Sequence, residues 1–526
     1  MKKNAKRIKK KTAAFLWIFA AAFLCAACAN TPSWQSTGTD QAEPSVLVYG
    51  SGDYTRINPA MDEHGEINSL LFNGLTAHNG ENEVIPCLAK RWEFEEETNT
   101  YTFYLEEHVK WHDGEEFTAR DVKFTVEAVM DPANGSENAP NYEDIVQIRV
   151  IDDYTVAFQL KAYHAAFLDY MTLPVLPEHC LEGEDMQESE FFRHPVGTGA
   201  YRLKRWEEGQ AIVLEKNDEY FKEKAKIDQI VFKIVPDDTA RAVQMEAGEL
   251  DLALLAPKDA QSFADREGYT YHLMKTSDYR GILFNFQHAY WKKNKDLIPA
   301  VCYALDKESM VNAILQGHGE AAYSPLQRNR YYYEDVQRYT YNPKKARQIL
   351  EDAGCTMGSG GFYERDGEQV GFVLSVGAGD QVRADLAQAA AQQLKEAGIY
   401  CSVEVPVQVD WEGQMAYLIG WGSPFDADDH TYKVFGTNKA ANYSGYSNKK
   451  VDKWLVRARQ SSDTRVRAKA YAQFQKELAK DPAFAFLCYV DAAYVSKSGV
   501  KGIAKDTVMG HHGVGIFWNV TEWTIE

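Results

Sequence analysis

The chain has 526 residues, 45% hydrophobic and 25% charged, with a formal charge of −19. Such a composition describes an ordinary globular chain of roughly two to four domains and argues against a disordered or multi-spanning protein. Seven cations lie within the first 27 residues, so the remainder carries −26, a balance that argues against nucleic-acid binding through a basic face.

Those cations, Lys2 through Lys11, precede an uncharged apolar run from Ala13 to Ala27. The run is shorter than the ~20 residues of a comfortable membrane span and has the proportions of a signal-peptide core. Ala26-Ala27-Cys28 resembles the processing site of bacterial lipoproteins, with Cys25 standing where Leu is commonest and Leu24 one place earlier. The expectation is cleavage after residue 27 and a lipid on Cys28; the alternative is an uncleaved anchor helix. Either puts the folded part outside the cytoplasmic membrane. Residues 28–44 form a polar, aperiodic tether. Six further cysteines are scattered without Cys-x-x-Cys spacing, which points to neither a zinc cluster nor a disulfide scaffold.

Ser45 to Tyr49 is a short apolar strand, and Met61 to Leu75 is expected to be a helix. Tyr101, Phe103 and Leu105 alternate as a half-buried strand, and Asp113-Gly114 supplies turn chemistry for a hairpin. Thr118 with Asp121 then forms a capping-box start for a helix carrying Val122, Val126 and Val129, which Asp131-Pro132 ends. Ile148 to Leu160 reads as one or two strands joined at Asp152-Asp153, and strands follow at 201–206, 211–215 and 229–235. Pro236-Asp237 starts a helix that stops at Gly248. Near-continuous apolar runs at 281–286 and 484–490 predict buried strands. Between them 343–353, 380–397 and 449–480 are amphipathic helical segments, an α/β pattern.

Three blocks carry a resemblance: Leu71-Phe72-Asn73-Gly74-Leu75; Trp111-His112-Asp113-Gly114-Glu115 with Phe117-Thr118-Ala119 and Asp121-Val122; and Pro195 to Tyr201. In that order and spacing they resemble the family-5 extracytoplasmic solute-binding proteins of ABC importers, which take oligopeptides, dipeptides and nickel chelates. The resemblance covers about residues 45–526 and implies an α/β, two-lobed periplasmic-binding-protein-like fold (class II, cluster C type) with an extra subdomain in the first lobe. It implies lobe I at 45–282 with the insertion at about 76–195, lobe II at 283–488, and a return to lobe I at 489–526. It also implies a monomer that closes on a small-molecule ligand, serves ABC permease subunits, and works extracytoplasmically, held to the membrane by its lipid, with no nucleic acid as partner.

No Gly-x-Ser-x-Gly elbow, phosphate-binding Gly-Lys-Ser/Thr loop or His-Glu-x-x-His occurs, so no enzyme is expected. His108 and His112, four apart at a strand and turn, are expected to pack rather than ligate. The stretch from Gly420 to His430 offers an indole, three carboxylates and an imidazole, suited to stacking on a solute and pairing with an amine or metal. Its acids equally suit the first turn of a helix running toward Val434. Peptide binders of the family usually place an acid just after Gly-Trp, where Ser423 and Pro424 stand here. The segment is closer to the W-G-x-P-Y-D-P-H of nickel-chelate binders, with two extra residues before the His. That match implies Trp421 as a stacking wall and His430 as a metal ligand, and the carboxylates of the stretch make Asp426 a candidate ligand contact. His511-His512, between glycines, and His64 are further candidate metal ligands, with Tyr54 and Arg280 as further ligand contacts; Arg56 is a weaker guess, since an exposed arginine more often serves a surface ion pair. No resident cofactor is expected, and a Ni2+ chelate would be cargo. The alternatives from other classes are a surface-anchored peptide sensor or chaperone and a secreted hydrolase.

Overall fold

Strand Val46–Ser51 pairs in parallel with both Gln229–Ile234 and Leu252–Leu255 and so occupies the middle of a seven-stranded sheet. The computed structural model describes residues 43–61 and 65–526, of which Pro44–Glu526 forms one unit; the leader, Cys28 and His64 lie outside the described residues. From one edge the sheet runs Tyr269–Met274, Ala492–Lys497, Leu252–Leu255, Val46–Ser51, Gln229–Ile234, Ala211–Lys216 and Tyr201–Glu207.

A second sheet of six strands runs Gly319–Ala321, Phe484–Val490, Tyr279–Phe284, Ala416–Trp421, Gly371–Ser375 and Tyr400–Glu404. The two apolar runs are neighbours here, antiparallel, and buried on both faces. Ile282 and Phe284 join one core while Tyr279 and Leu283 join the other, as the two-residue period of a strand requires. Helices cover both faces, which is why these strands lack polar alternation. A third, antiparallel sheet of Ala89–Glu95, Thr100–Leu105, Thr155–Leu160 and Ile145–Asp152 packs into the core of the first.

The chain passes between the two large sheets at 275–278 and again at Asp491. Tyr279–Phe284 therefore belongs wholly to the second sheet. One side chain holds both passages. Arg328, whose side chain is 7% exposed, donates to the Thr276 carbonyl at 2.9 Å and to Asp491 Oδ1 at 2.5 Å, while its Nε reaches Glu320 at 2.9 Å.

The capped helix forms as its sequence dictates, over Ala119–Met130, with Thr118 N–H donating to Asp121 Oδ2 at 2.8 Å. Two expectations change. The helix predicted over 61–75 shrinks to Asn68–Leu71, because Phe72 turns extended and Gly74 lies so close to the backbone of Met171 and Thr172 that a Cβ would not fit. The amphipathic stretch 449–480 is two helices, Lys449–Arg459 and Thr464–Lys480, the second restarted by the Asp463 cap.

Candidate ligand site between the lobes

A cleft of about 810 Å3 lies between the sheets. The first lobe contributes Phe72, Asn73, His78, Asp169 and Tyr220; the second contributes Trp421, Phe425, Asp429, His430 and Lys433; the 507–522 segment adds His511 and Trp518. Of the residues expected at the ligand, Trp421, His430 and His511 thus meet on one cavity.

Trp421 ends the Ala416–Trp421 strand, its ring roughly parallel to Tyr443 at 6.3 Å and 5.9 Å from Lys433 Nζ. His430 sits in the first turn of Asp428–Phe435, only 2% exposed. Its Nε2 is 3.0 Å from the Pro325 carbonyl. A carbonyl only accepts, so Nε2 carries the proton and Nδ1 keeps its lone pair. Nδ1 has no hydrogen-bond partner among the described residues. Burial also depresses the imidazole's pKa, keeping it neutral. A neutral ring with its far N–H fixed by a carbonyl is the usual arrangement of a metal-ligating histidine.

The acids of this helix start do different work. Asp426 is buried and paired with Arg467 at 2.5 Å, and it also accepts from Asp428 N–H at 2.9 Å. It stands behind the cleft wall and not on it. Asp428 accepts from Arg459 at 2.6–3.1 Å. Burial alone would raise its pKa, and the Arg459 guanidinium overrides this, holding the carboxyl well below the ordinary carboxylate range. Asp429 lines the cleft and faces Lys433 at 3.4 Å.

Arg280 is likewise directed inward. It forms a short buried ion pair with Asp278 and crosses so close over Gly420 that a Cβ there would collide with its guanidinium. Asp278 is where the histidine pair is anchored: His511 Nδ1 lies 2.9 Å from Oδ1, and His512 N–H donates to Oδ2 at 3.1 Å. Asp278, His511 and His512 could offer one ligand atom each within 4.8 Å. The adjacent Arg280 and Arg383 cations oppose a dication at that spot. His512 is exposed and does not line the cleft. Tyr54 packs edge-on against Phe232 at 6.3 Å, away from the cavity lining.

Two cleft features were not foreseen. His78 stacks on Phe425 with ring centroids 3.7 Å apart and 6° between planes, and its Nε2 meets Asp169 Oδ1 at 3.1 Å. His78 belongs to the first lobe and Phe425 to the second, so the stack clasps the lobes. Nothing around Ala77-His78-Asn79 marks it in sequence, because its partner is 347 positions away. Beside it the His164 ring is 3.3 Å from Asp428 Oδ2, Tyr170 OH donates to the same oxygen at 3.3 Å, and Ala165 N–H donates to the Arg459 carbonyl at 2.9 Å. Lys439 and Glu143 pair across the lobes at 2.7 Å.

Residues 83–470 match the model of the bacterial extracellular solute-binding proteins, family 5. The chain is 32% identical over 477 residues to Protein XP55 of Streptomyces lividans, spanning 89% of this chain and 88% of that one. It is 29% identical over 535 residues to the oligopeptide-binding protein AppA of Bacillus subtilis, spanning 97% and 96%. Among solved structures it resembles NikZ of Campylobacter jejuni in complex with Ni(L-His), with a TM-score of 0.85, 33% identity, and 91% and 99% of the two chains covered. The AppA structure in complex with a nonapeptide gives 0.81 and 28%, covering 92% and 100%. The two-lobed architecture, the interlobe cleft and a family match over most of the chain lead to one conclusion: this chain belongs to the bacterial extracellular solute-binding proteins of family 5.

Proposed function

We propose that the protein is the binding component of an ABC importer that closes on a metal chelate, with nickel the favoured ion, and delivers it to permease subunits. In this reading it is a monomer and not an enzyme, tethered outside the cell membrane by a lipid on Cys28. The observation that carries the metal reading is His430: a neutral cleft imidazole whose Nε2–H is fixed by the Pro325 carbonyl and whose Nδ1 lone pair is uncommitted. Imidazole nitrogen suits nickel, and a chelator brought with the ion can supply the remaining positions. Trp421 offers a face to a planar chelator, and His511 approaches from the return segment. The nickel complex of the Campylobacter jejuni relative is consistent with this choice.

The second reading is a short peptide. It is favoured by the cleft volume, within the ~300–1,000 Å3 usual for small ligands, and by the nonapeptide bound to the Bacillus subtilis relative. Against it stand Ser423 and Pro424 where the family's amine-binding acid is expected. Native mass spectrometry with metal analysis of protein purified from its own cells separates the two. Nickel retained with a small organic chelator is the expected result; a ladder of bound peptides without metal would sink the chelate reading. His430→Ala is expected to lose the retained metal, and an unchanged nickel content would remove His430 from the site.

A further inference from the structure

A second set of metal-ligating side chains lies away from the cleft, where the Trp111–Glu116 turn meets the short helix Glu178–Leu181. Asp113 Oδ2 is 2.8 Å from His179 Nε2 and 3.9 Å from Cys180 Sγ, and one ligand atom from each residue falls within 4.8 Å of the others. The turn aims the carboxylate, because Asp113 Oδ1 accepts the Glu115 N–H at 3.2 Å and leaves Oδ2 toward the helix. The buried Trp111 ring meets the His179 ring edge-on at 6.3 Å, which limits how that imidazole can rotate. The helix is itself fixed by its Glu178 N–H, which donates to Asp121 Oδ1 at 2.9 Å.

We infer that Asp113, His179 and Cys180 form a three-ligand site for a zinc-class divalent cation. Carboxylate, imidazole and thiolate are all zinc ligands at about 2.0–2.3 Å, and three protein ligands with a water in the fourth place is a common arrangement. A tetrahedral centre with those bond lengths places oxygen and nitrogen about 3.3 Å apart and either of them about 3.5 Å from sulfur. The carboxylate–imidazole contact must therefore open by about half an ångström and the carboxylate–sulfur contact close by about as much. Asp113 and His179 are about one third exposed, so the ion and its water can reach the site.

A hydrogen bond between Asp113 and His179 alone would tether the turn to the helix without help from Cys180. The thiol is what turns that tether into a coordination set. Binding replaces the thiol proton with the ion, the sulfur lone pair forming the metal bond and the proton passing to solvent. The Asp113 carboxylate beside the thiol attracts a dication.

The test uses the full chain stripped with chelator. Zinc is expected to slow iodoacetamide modification of Cys180, followed by peptide mass mapping. Cobalt is expected to give a thiolate-to-metal charge-transfer band that is lost in Cys180→Ser and Asp113→Asn and retained in Cys87→Ser, since Cys87 is the thiol that lines the cleft. If zinc leaves the alkylation of wild-type Cys180 unchanged, or the band survives in Cys180→Ser, the site does not exist. The alkylation result needs no variant, so a poorly folded substitution cannot obscure it.

Discussion

His112 has both ring nitrogens committed to backbone. Nε2 is 3.1 Å from the Gly199 carbonyl and so donates, while Nδ1 accepts the Gly197 N–H at 3.1 Å. That pair of bonds requires the neutral ring, and burial lowers its pKa to about 4. Relative to an ordinary ~6.5 in the unfolded chain, a depressed histidine stabilises the fold fully above pH ~6.5. The contribution is lost as pH falls toward 4, because only the unfolded state takes up the proton. Glu66 has the opposite slope: burial raises its carboxyl to about 7, so its share is present at low pH and fades as pH rises through 7. His112→Gln is expected to cost about 1–3 kcal/mol at pH 7 by orphaning the Gly197 N–H, and to flatten the fall in Tm between pH 6.5 and 4. A variant with the wild-type slope would remove His112 from the acid response. The sequence places His112 in a turn and favours packing over ligation for it. Its partners are unreadable there because they are backbone atoms some 85 positions on.

At the scale of elements, Pro195 to Tyr201 is the clearest case of a motif with a packing cause. Gly197 and Gly199 press against the carbonyls of Leu70 and Leu71, where a Cβ at either would fall far inside contact distance. Gly199 N–H also donates to the Leu71 carbonyl at 2.9 Å. Two recognisable blocks, Leu70 to Leu75 and Pro195 to Tyr201, are thus the two sides of one backbone contact. Gly197→Ala is expected to lower stability by about 3 kcal/mol or more, since the nearest neighbours are the Leu71 main chain and cannot rotate away. A thermal melt within 1 °C of wild type would refute the close approach, given the several degrees expected per kcal/mol. Local signals identified the capped helix, the strands on either side of Asp152-Asp153 and both buried runs, because each is decided by residues within one element. The 61–75 stretch departs from its helical pattern for the converse reason. Its apolar spacing is helical, yet Gly74 must serve a neighbour 98 positions away.

At the scale of the molecule, the contacts between the two lobes include the His78–Phe425 stack, the His164 and Tyr170 bonds to Asp428, the Ala165–Arg459 bond and the Lys439–Glu143 pair. In the proposed closing mechanism, contacts of this kind that are broken on opening add to the differential affinity by which a ligand selects the closed state. His164→Ala removes one cross-lobe bond and leaves Arg459 on Asp428. Ligand affinity measured by calorimetry is expected to fall about fivefold, the weight of one net hydrogen bond. Unchanged affinity would mean that the His164 contact to Asp428 contributes nothing to the closed state. The two-lobed architecture was legible through the family resemblance, and the two buried runs marked neighbouring core strands of the second sheet. The site was legible only in part: Trp421, His430 and His511 reach the cleft, whereas Asp426 and Arg280, charged residues beside it, are drawn inward by Arg467 and Asp278. Sequence shows which side chains could face a ligand and cannot show which are already neutralised by a partner.

Arg328 grips both interlobe passages, bonding Thr276 on one and Asp491 on the other. Two threads bonded to one planar group resist sliding past each other, which leaves bending about that group as the softest motion between the two sheets. For a carrier that closes on its ligand, as proposed, Arg328 would be the axle, and the angle about it would separate a loaded from an empty state.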